Sequence, residues 1–279
     1  MAEQTDLRLA VLIDADNAPR SAIGDVMAEV AVYGTPTIKR IYGDWTTPNL
    51  ASWKPLLLEN AITPVQQYGY TTGKNSTDSA MIIDAMDILY TGQVDGFVLV
   101  SSDSDFTRLA IRLREAGKKV YGMGEKKTPS PFIVACDKFV YIEVIRSAAE
   151  QARAAEAKAE EESRTADARE ESKAADKPAK AAKKAVKKKE EQPGPHVPKA
   201  VVELIADAVE TMADEDGYAF MSDLGNLLVK KQPDFDPRNF GFSKLSKLVK
   251  SLPRFEVDVR KTDQPNVTNI YVRDKARRG

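Results

Sequence analysis

The chain is poor in the residues that build most hydrolytic and redox centres. It has one histidine, His196, and one cysteine, Cys136, in 279 residues. A lone cysteine cannot close an internal disulfide, which suits a reducing compartment. A lone histidine excludes paired-histidine acid–base catalysis, His-rich zinc sites and Cys/His clusters. No apolar run approaches the roughly 18 residues of a membrane-spanning helix. The opening "MAEQTDLRLAVLIDADNAP" lacks a basic start, and its apolar run is only Leu9 to Ile13. It reads as neither a signal peptide nor a span. The expectation is a soluble, cytoplasmic protein with no membrane partner, whose hydrolytic chemistry, if any, rests on carboxylates.

What is present is charge, unevenly distributed. The formal net charge is −1, but residues 229–279 carry 13 basic and 6 acidic side chains, a local +7. A basic segment on a near-neutral chain points to an anionic partner.

Three regions differ in pattern. In 1–146, apolar bursts ("RLAVLI", "TIKRIY", "TPVQQY", "GFVLVSS", "KKVYGMG", "FVYIEV") alternate with stretches of helical spacing such as Ile82, Ile83, Met86 and Leu89. Strands alternating with helices predict an α/β fold, a doubly wound parallel sheet. "LAVLI" and "FVLV" are apolar at every position, as in central strands buried on both faces. Residues 147–197 are rich in Ala, Lys and Glu with no large apolar stripe, so they read as a linker, helical in its first part, that ends in a lysine cluster at 177–189. Residues 198–279 begin with an amphipathic helix carrying Val201, Val202, Ile205, Ala208, Val209 and Met212 on one side. Two short helices follow, with Ser222 and Ser243 near their starts as caps. Two strands, "FEVDV" and "NIYVRD", then complete a small winged helix-turn-helix (α+β) pattern.

In a doubly wound sheet, ligands gather at the carboxyl ends of the strands. The first strand ends with Asp14, Asp16 and Asn17; the fourth ends with Ser101, Ser102, Asp103, Ser104 and Asp105; Asp78 opens the helix between them. Each has a local role open to it. Asp103 or Ser104 suits an N-cap, as does Asn17 before Pro19. Together they are like charges converging on one rim, a repulsion that a divalent cation would relieve. With oxygen ligands alone, Mg2+ or Mn2+ is the expected ion. Such an ion acidifies a bound water and neutralises a phosphodiester transition state. Ser101, Ser102 and Asn17 are candidates to orient water or phosphate, and Lys74 to contact a phosphate. Asp84 lies about 240° round the helix from Asp78 at 100° per residue, which makes it a secondary candidate with Asp16.

"AVLIDADN", "GKNSTDSAMIIDA" and "FVLVSSDSDF", followed by "AGKKVYGMG" and "ACDKFVYI", resemble the NYN family of PIN-like ribonucleases over about residues 8–145. That resemblance implies a PIN-like sheet and a Mg2+- or Mn2+-dependent RNA-cleaving site with Asp14, Asp78, Asp103 and Asp105 as the acidic set and Asn17 beside it. A glycine is common in that family where Ser102 stands. PIN-like domains often pair, so a homodimer is compatible. "FMSDLGNLLVKKQPDFDPRNFGFSKLSKLVKSLPRFEV" resembles the OST-HTH (LOTUS) domain, a family associated with RNA binding. There Lys230, Lys231, Arg238, Lys244, Lys247, Lys250 and Arg254 are the candidates for phosphate contact.

Three other readings compete with this one. A non-catalytic RNA-binding regulator would keep the same fold. A phosphatase of the haloacid dehalogenase type would use Asp14-Ala15-Asp16, but expects Thr or Val where Ala18 stands. A dinucleotide-binding oxidoreductase is disfavoured because Lys127 stands where a third glycine belongs after Gly122 and Gly124.

Overall fold

The computed structural model describes residues 6–68, 76–171, 197–261 and 268–277. Lys74, His196 and the lysine cluster at 177–189 lie outside them. Six parallel strands form the first sheet: β1 (Arg8–Asp14), β2 (Thr35–Gly43), β3 (Thr63–Gln66), β4 (Gly96–Val100), β5 (Lys119–Gly124) and β6 (Lys138–Tyr141). Their order is β3-β2-β1-β4-β5-β6.

The all-apolar strands explain the layering. In β1, Leu9, Val11 and Ile13 face one core while Ala10 and Leu12 face the other; in β4, Val98 and Val100 oppose Phe97 and Leu99 in the same way. Alternate side chains on a strand point to opposite faces, so a strand covered by helices on both sides must be apolar throughout. The first core takes Ile23, Val26 and Val30 of α1 (Ile23–Val30), Leu57 of α2 (Lys54–Glu59) and Ile142 and Ile145 of α6 (Ile142–Glu171). The second takes α3 (Ser76–Thr91), α4 (Thr107–Glu115) and α5 (Ser130–Ala135) through Met81, Ala85, Ile88, Leu109, Leu113 and Phe132.

The chain winds from β1 towards β2 on one side and from β4 towards β5 on the other. The crevice outside the carboxyl ends of β1 and β4 is therefore the switch point of the sheet. Among the described residues, no helix is long and apolar enough to cross a membrane.

The C-terminal unit packs α7 (Lys199–Met212), α8 (Met221–Lys231) and α9 (Leu245–Ser251) on an antiparallel sheet, β7-β9-β8, made from β7 (Ala219–Phe220), β8 (Phe255–Lys261) and β9 (Thr268–Asp274). The sequence pattern shows two of these strands. The third, β7, is two residues long and too short for any periodicity to register. The expected serine caps do not form: Phe220 and Lys244 occupy the N-cap positions of α8 and α9, without side-chain cap bonds. The apolar burst "FVYIEV" is also split. Strand β6 ends at Tyr141, and Ile142, Val144 and Ile145 are buried residues of α6. A short apolar run does not distinguish a strand from a buried helix turn. Helix α6 carries the chain past residue 146, where the linker was expected to begin.

The two units are docked. The edge of β6 is covered: Phe139 N–H donates to Pro233 O at 2.8 Å, and Tyr141 Oη donates to Asp234 at 2.8 Å. Beside this, the Arg238 guanidinium donates to both oxygens of Glu29 on α1, at 2.7 and 2.8 Å, and to Asp236 at 2.8 to 3.1 Å. Burial pushes Glu29 up, but the Arg238 and Tyr33 hydrogen bonds outweigh it and hold the carboxyl below its usual range. Arg238→Ala would leave Glu29 and Asp236 as uncompensated charges in a nearly dry contact, at a cost of about 3 kcal/mol. Urea unfolding followed by the fluorescence of Trp45 and Trp53, both in the N-terminal unit, checks this; Glu29→Gln, which keeps acceptor capacity, should cost less than half as much.

Candidate metal centre and nucleic-acid interface

Asp14 is the last residue of β1 and is 1 % exposed. Its Oδ1 accepts from the backbone N–H of Asp16 (3.0 Å) and Asn17 (3.3 Å), and its Oδ2 from Asn17 Nδ2 and Ser101 Oγ, both at 2.8 Å. Four donors stabilise the carboxylate, yet burial dominates and pushes its pKa above the ordinary value. Asn17 therefore does not cap the helical turn after Pro19; its amide is directed back onto Asp14.

The fourth strand delivers the other half of the rim. Ser101 Oγ donates to Asp14 and accepts from Asp103 N–H at 3.0 Å, so one hydroxyl joins the ends of β1 and β4. Asp103 caps the next helical turn, its Oδ1 accepting from Asp105 N–H at 2.9 Å. The cap is Asp103, not Ser104. Ser102 Oγ accepts from Glu125 N–H at 2.9 Å, which fixes the loop after β5 to the same edge. That edge needs Gly124: a Cβ there would lie 2.6 Å from Ser101 O and 2.7 Å from Thr128 Oγ1.

Asp78 arrives from α3. It shares the buried stripe of Met81, Ala85 and Ile88, one turn nearer the open edge of the sheet, and is 9 % exposed. One carboxylate oxygen from each of Asp78, Asp103 and Asp105 lies within 4.8 Å of the others, a group able to hold a metal ion. Asp14 is not in that group; it stands behind it, hydrogen-bonded through Ser101. Asp16 is exposed and also outside the group. Asp84 faces another way: Arg40 and the buried Tyr42, both on β2, donate to its carboxylate. This contact anchors α3 to the sheet six residues after Asp78. No periodicity in the sequence marks Arg40 or Tyr42, because the contact joins elements more than 40 residues apart.

The electrostatics are those of crowded carboxylates. Burial raises the Asp78 pKa to about 6, helped by the charges of Asp14, Asp103, Asp105 and Asp16. The donor set is all oxygen, which would suit a small hard cation.

On the C-terminal unit, Lys230, Lys231, Lys244, Lys247 and Lys250 are exposed, with no ion pair among the described residues. The last three recur at a spacing of three, from the N-cap of α9 into the helix. The two arginines of the expected phosphate-contacting set are engaged internally instead. Arg238 holds Glu29 and Asp236, and Arg254 holds Glu203 and Asp274. Their burial and pairing come from tertiary contacts that basic composition does not reveal.

Comparison with known proteins fits this geometry. Residues 8–143 match the NYN domain and residues 195–267 the OST-HTH/LOTUS domain. No curated protein matches the chain. A crystal structure of a protein of unknown function from Vibrio parahaemolyticus is 21% identical, covering 51% of this chain and 96% of its own, with a TM-score of 0.43. An uncharacterized protein from Nitrosomonas europaea is 29% identical, covering 36% of this chain and 92% of its own, at 0.26. Residues 175–257 of a Chromobacterium violaceum protein are 30% identical, covering 30% of this chain and 87% of their own, at 0.23. The NYN domain belongs to the PIN-like nuclease superfamily, and OST-HTH/LOTUS is an RNA-binding domain. With its acidic rim on a six-stranded parallel sheet and its lysine-bearing helical unit, the chain carries an NYN domain followed by an OST-HTH/LOTUS domain.

Proposed function

We propose that this protein is a Mg2+- or Mn2+-dependent endoribonuclease whose C-terminal domain binds the RNA it cuts. The observation that carries the reading is the convergence of Asp78, Asp103 and Asp105 at the switch point of the sheet. The ion, when bound, supplies an acidified water and neutralises charge on the phosphodiester. Asp78, Asp103 and Asp105 are the residues that would hold it. Asp14 orients the site: by accepting from Ser101 and Asn17 it locks the ends of β1 and β4 together. Ser101 and Asn17 are thus occupied with positioning, whereas Ser102, whose oxygen accepts from Glu125 N–H, retains its proton for a phosphate oxygen.

Replacing Asp103 and Asp105 together with Asn tests this. Asn also caps helical turns, so the local fold should survive, while Mn2+ binding is lost and hydrolysis of single-stranded RNA falls by on the order of 100-fold or more. Unchanged hydrolysis by a preparation free of contaminating nuclease would mean that the domain binds RNA without cutting it at this site.

The raised Asp78 pKa gives a second expectation. At pH 7 without divalent ions, Asp78 is charged in both folded and unfolded states, and its folded environment penalises that charge. Asp78→Asn removes the penalty and should stabilise the metal-free protein by about 1–2 kcal/mol after allowance for solvent screening. As pH falls through about 6 the wild-type carboxyl takes up its proton in the folded state, so the advantage should shrink and vanish below about 4. Thermal melts of both proteins in EDTA across this range measure it.

A further inference from the structure

The docked arrangement creates a groove that neither domain has alone. It encloses about 400 Å³ and lies between the loop after β5 with the start of α6 on one side, and residues 238–243 on the other. Its N-terminal wall includes Lys126, Ser147 and Gln151; its C-terminal wall includes Asn239, Phe242 and Ser243. We propose that this groove is a binding site for the backbone of single-stranded RNA, connecting the lysine face of α9 to the acidic rim. The inference rests on the RNA-directed reading above and specifies the path the substrate takes.

Position is the first argument. The residue before Lys126 is Glu125, whose N–H is bound by Ser102, and Ser102 directly precedes Asp103. Lys126, at one end of the groove, is thus joined to the carboxylate rim through two peptide links and one hydrogen bond, and no rim carboxylate lines the groove itself. At the other end, Ser243 lines this groove and also a second hollow on the far side of Arg238, which includes Lys244 at the start of α9. From the rim outwards the chain presents Lys126, the groove, then Lys244, Lys247 and Lys250.

Charge is the second argument. These four lysines have no ion pair among the described residues, and Lys126 is exposed. Glu143, exposed on the groove wall, keeps its charge and opposes a polyanion; both its oxygens accept from the backbone N–H of Lys126, at 3.0 and 3.2 Å, which holds the carboxylate against the loop after β5. Arg238 adds no net positive charge, because Glu29 and Asp236 together outweigh it and the neighbouring Lys138 balances the remainder; its role is to tie the C-terminal wall to α1 of the N-terminal unit. A channel that carries hydroxyl and amide groups beside Glu143, with lysines at both ends that make no ion pair among the described residues, suits phosphates and sugars, which position a chain without reading its sequence.

The test is equilibrium binding of a fluorescent 30-nucleotide single-stranded RNA to the full chain in EDTA, where no turnover occurs, over a range of salt. Lys126→Glu and, on the opposite wall, Ser243→Asp should each weaken binding about tenfold, and Lys126→Glu should reduce the salt slope by about 0.7, the loss of one single-strand phosphate contact. Lys244→Glu/Lys247→Glu should weaken binding as well. If the α9 pair weakens binding while both groove variants bind as wild type, RNA does not cross the groove and this proposal fails, although the RNA-binding reading stands. If none of the variants alters binding, the RNA-binding reading fails with it.

Discussion

One hydrogen-bonded hydroxyl organises the candidate centre. Ser101 Oγ donates to the buried Asp14 and accepts from the backbone of Asp103. It joins the ends of the two strands from which the sheet is wound in opposite directions. The acidic rim depends on this link. Without it, the end of β1 and the loop after β4 would be neighbours in the sheet but free to diverge above it. Gly124 makes the arrangement possible by letting β5 pass against Ser101 O, where a side chain would collide.

Around that link the protein accepts an unfavourable arrangement. Asp14 and Asp78 are buried, and burial raises both pKa values. Asp14 is compensated by four hydrogen-bond donors. Asp78 has charges of its own sign around it instead. Carboxylates crowded in this way repel one another, and a small divalent cation would relieve that repulsion. Asp84 shows the contrast: on the same helix, it is matched by Arg40 and Tyr42 and ties α3 to the sheet.

Docking of the C-terminal domain uses different physics. The contact is a half-buried ionic cluster plus a backbone bond that covers the edge of β6. An uncovered edge strand is a template for unwanted pairing, and the segment around Pro233 removes it. A buried bidentate pair adds geometric selectivity more than stability, since desolvation offsets much of its attraction. Arg238 therefore sets how the two domains face each other.

Much of the fold was legible because it rests on local pattern. Runs apolar at every position in "LAVLI" and "FVLV" reveal strands buried on both faces, and the alternation of strands with helices reveals the doubly wound sheet. The acidic residues could be placed on one rim because side chains at strand ends share an edge by topology. Short elements escaped: β7 has two residues, and Ile142 to Val144 read as strand although they turn into helix. The division of labour among the polar residues escaped as well. Asn17 serves Asp14 rather than a helix, Asp103 rather than Ser104 caps, and Arg238 faces Glu29 rather than solvent. The sequence by itself determined the longer strands and helices and which carboxylates sit at the ends of β1 and β4, because burial pattern and chain direction are local properties. Only the tertiary structure decided which of those groups a distant partner holds, as Ser101 holds Asp14, and which converge on one another, as Asp78, Asp103 and Asp105 do, because hydrogen bonds and ion pairs form between elements that are distant along the chain.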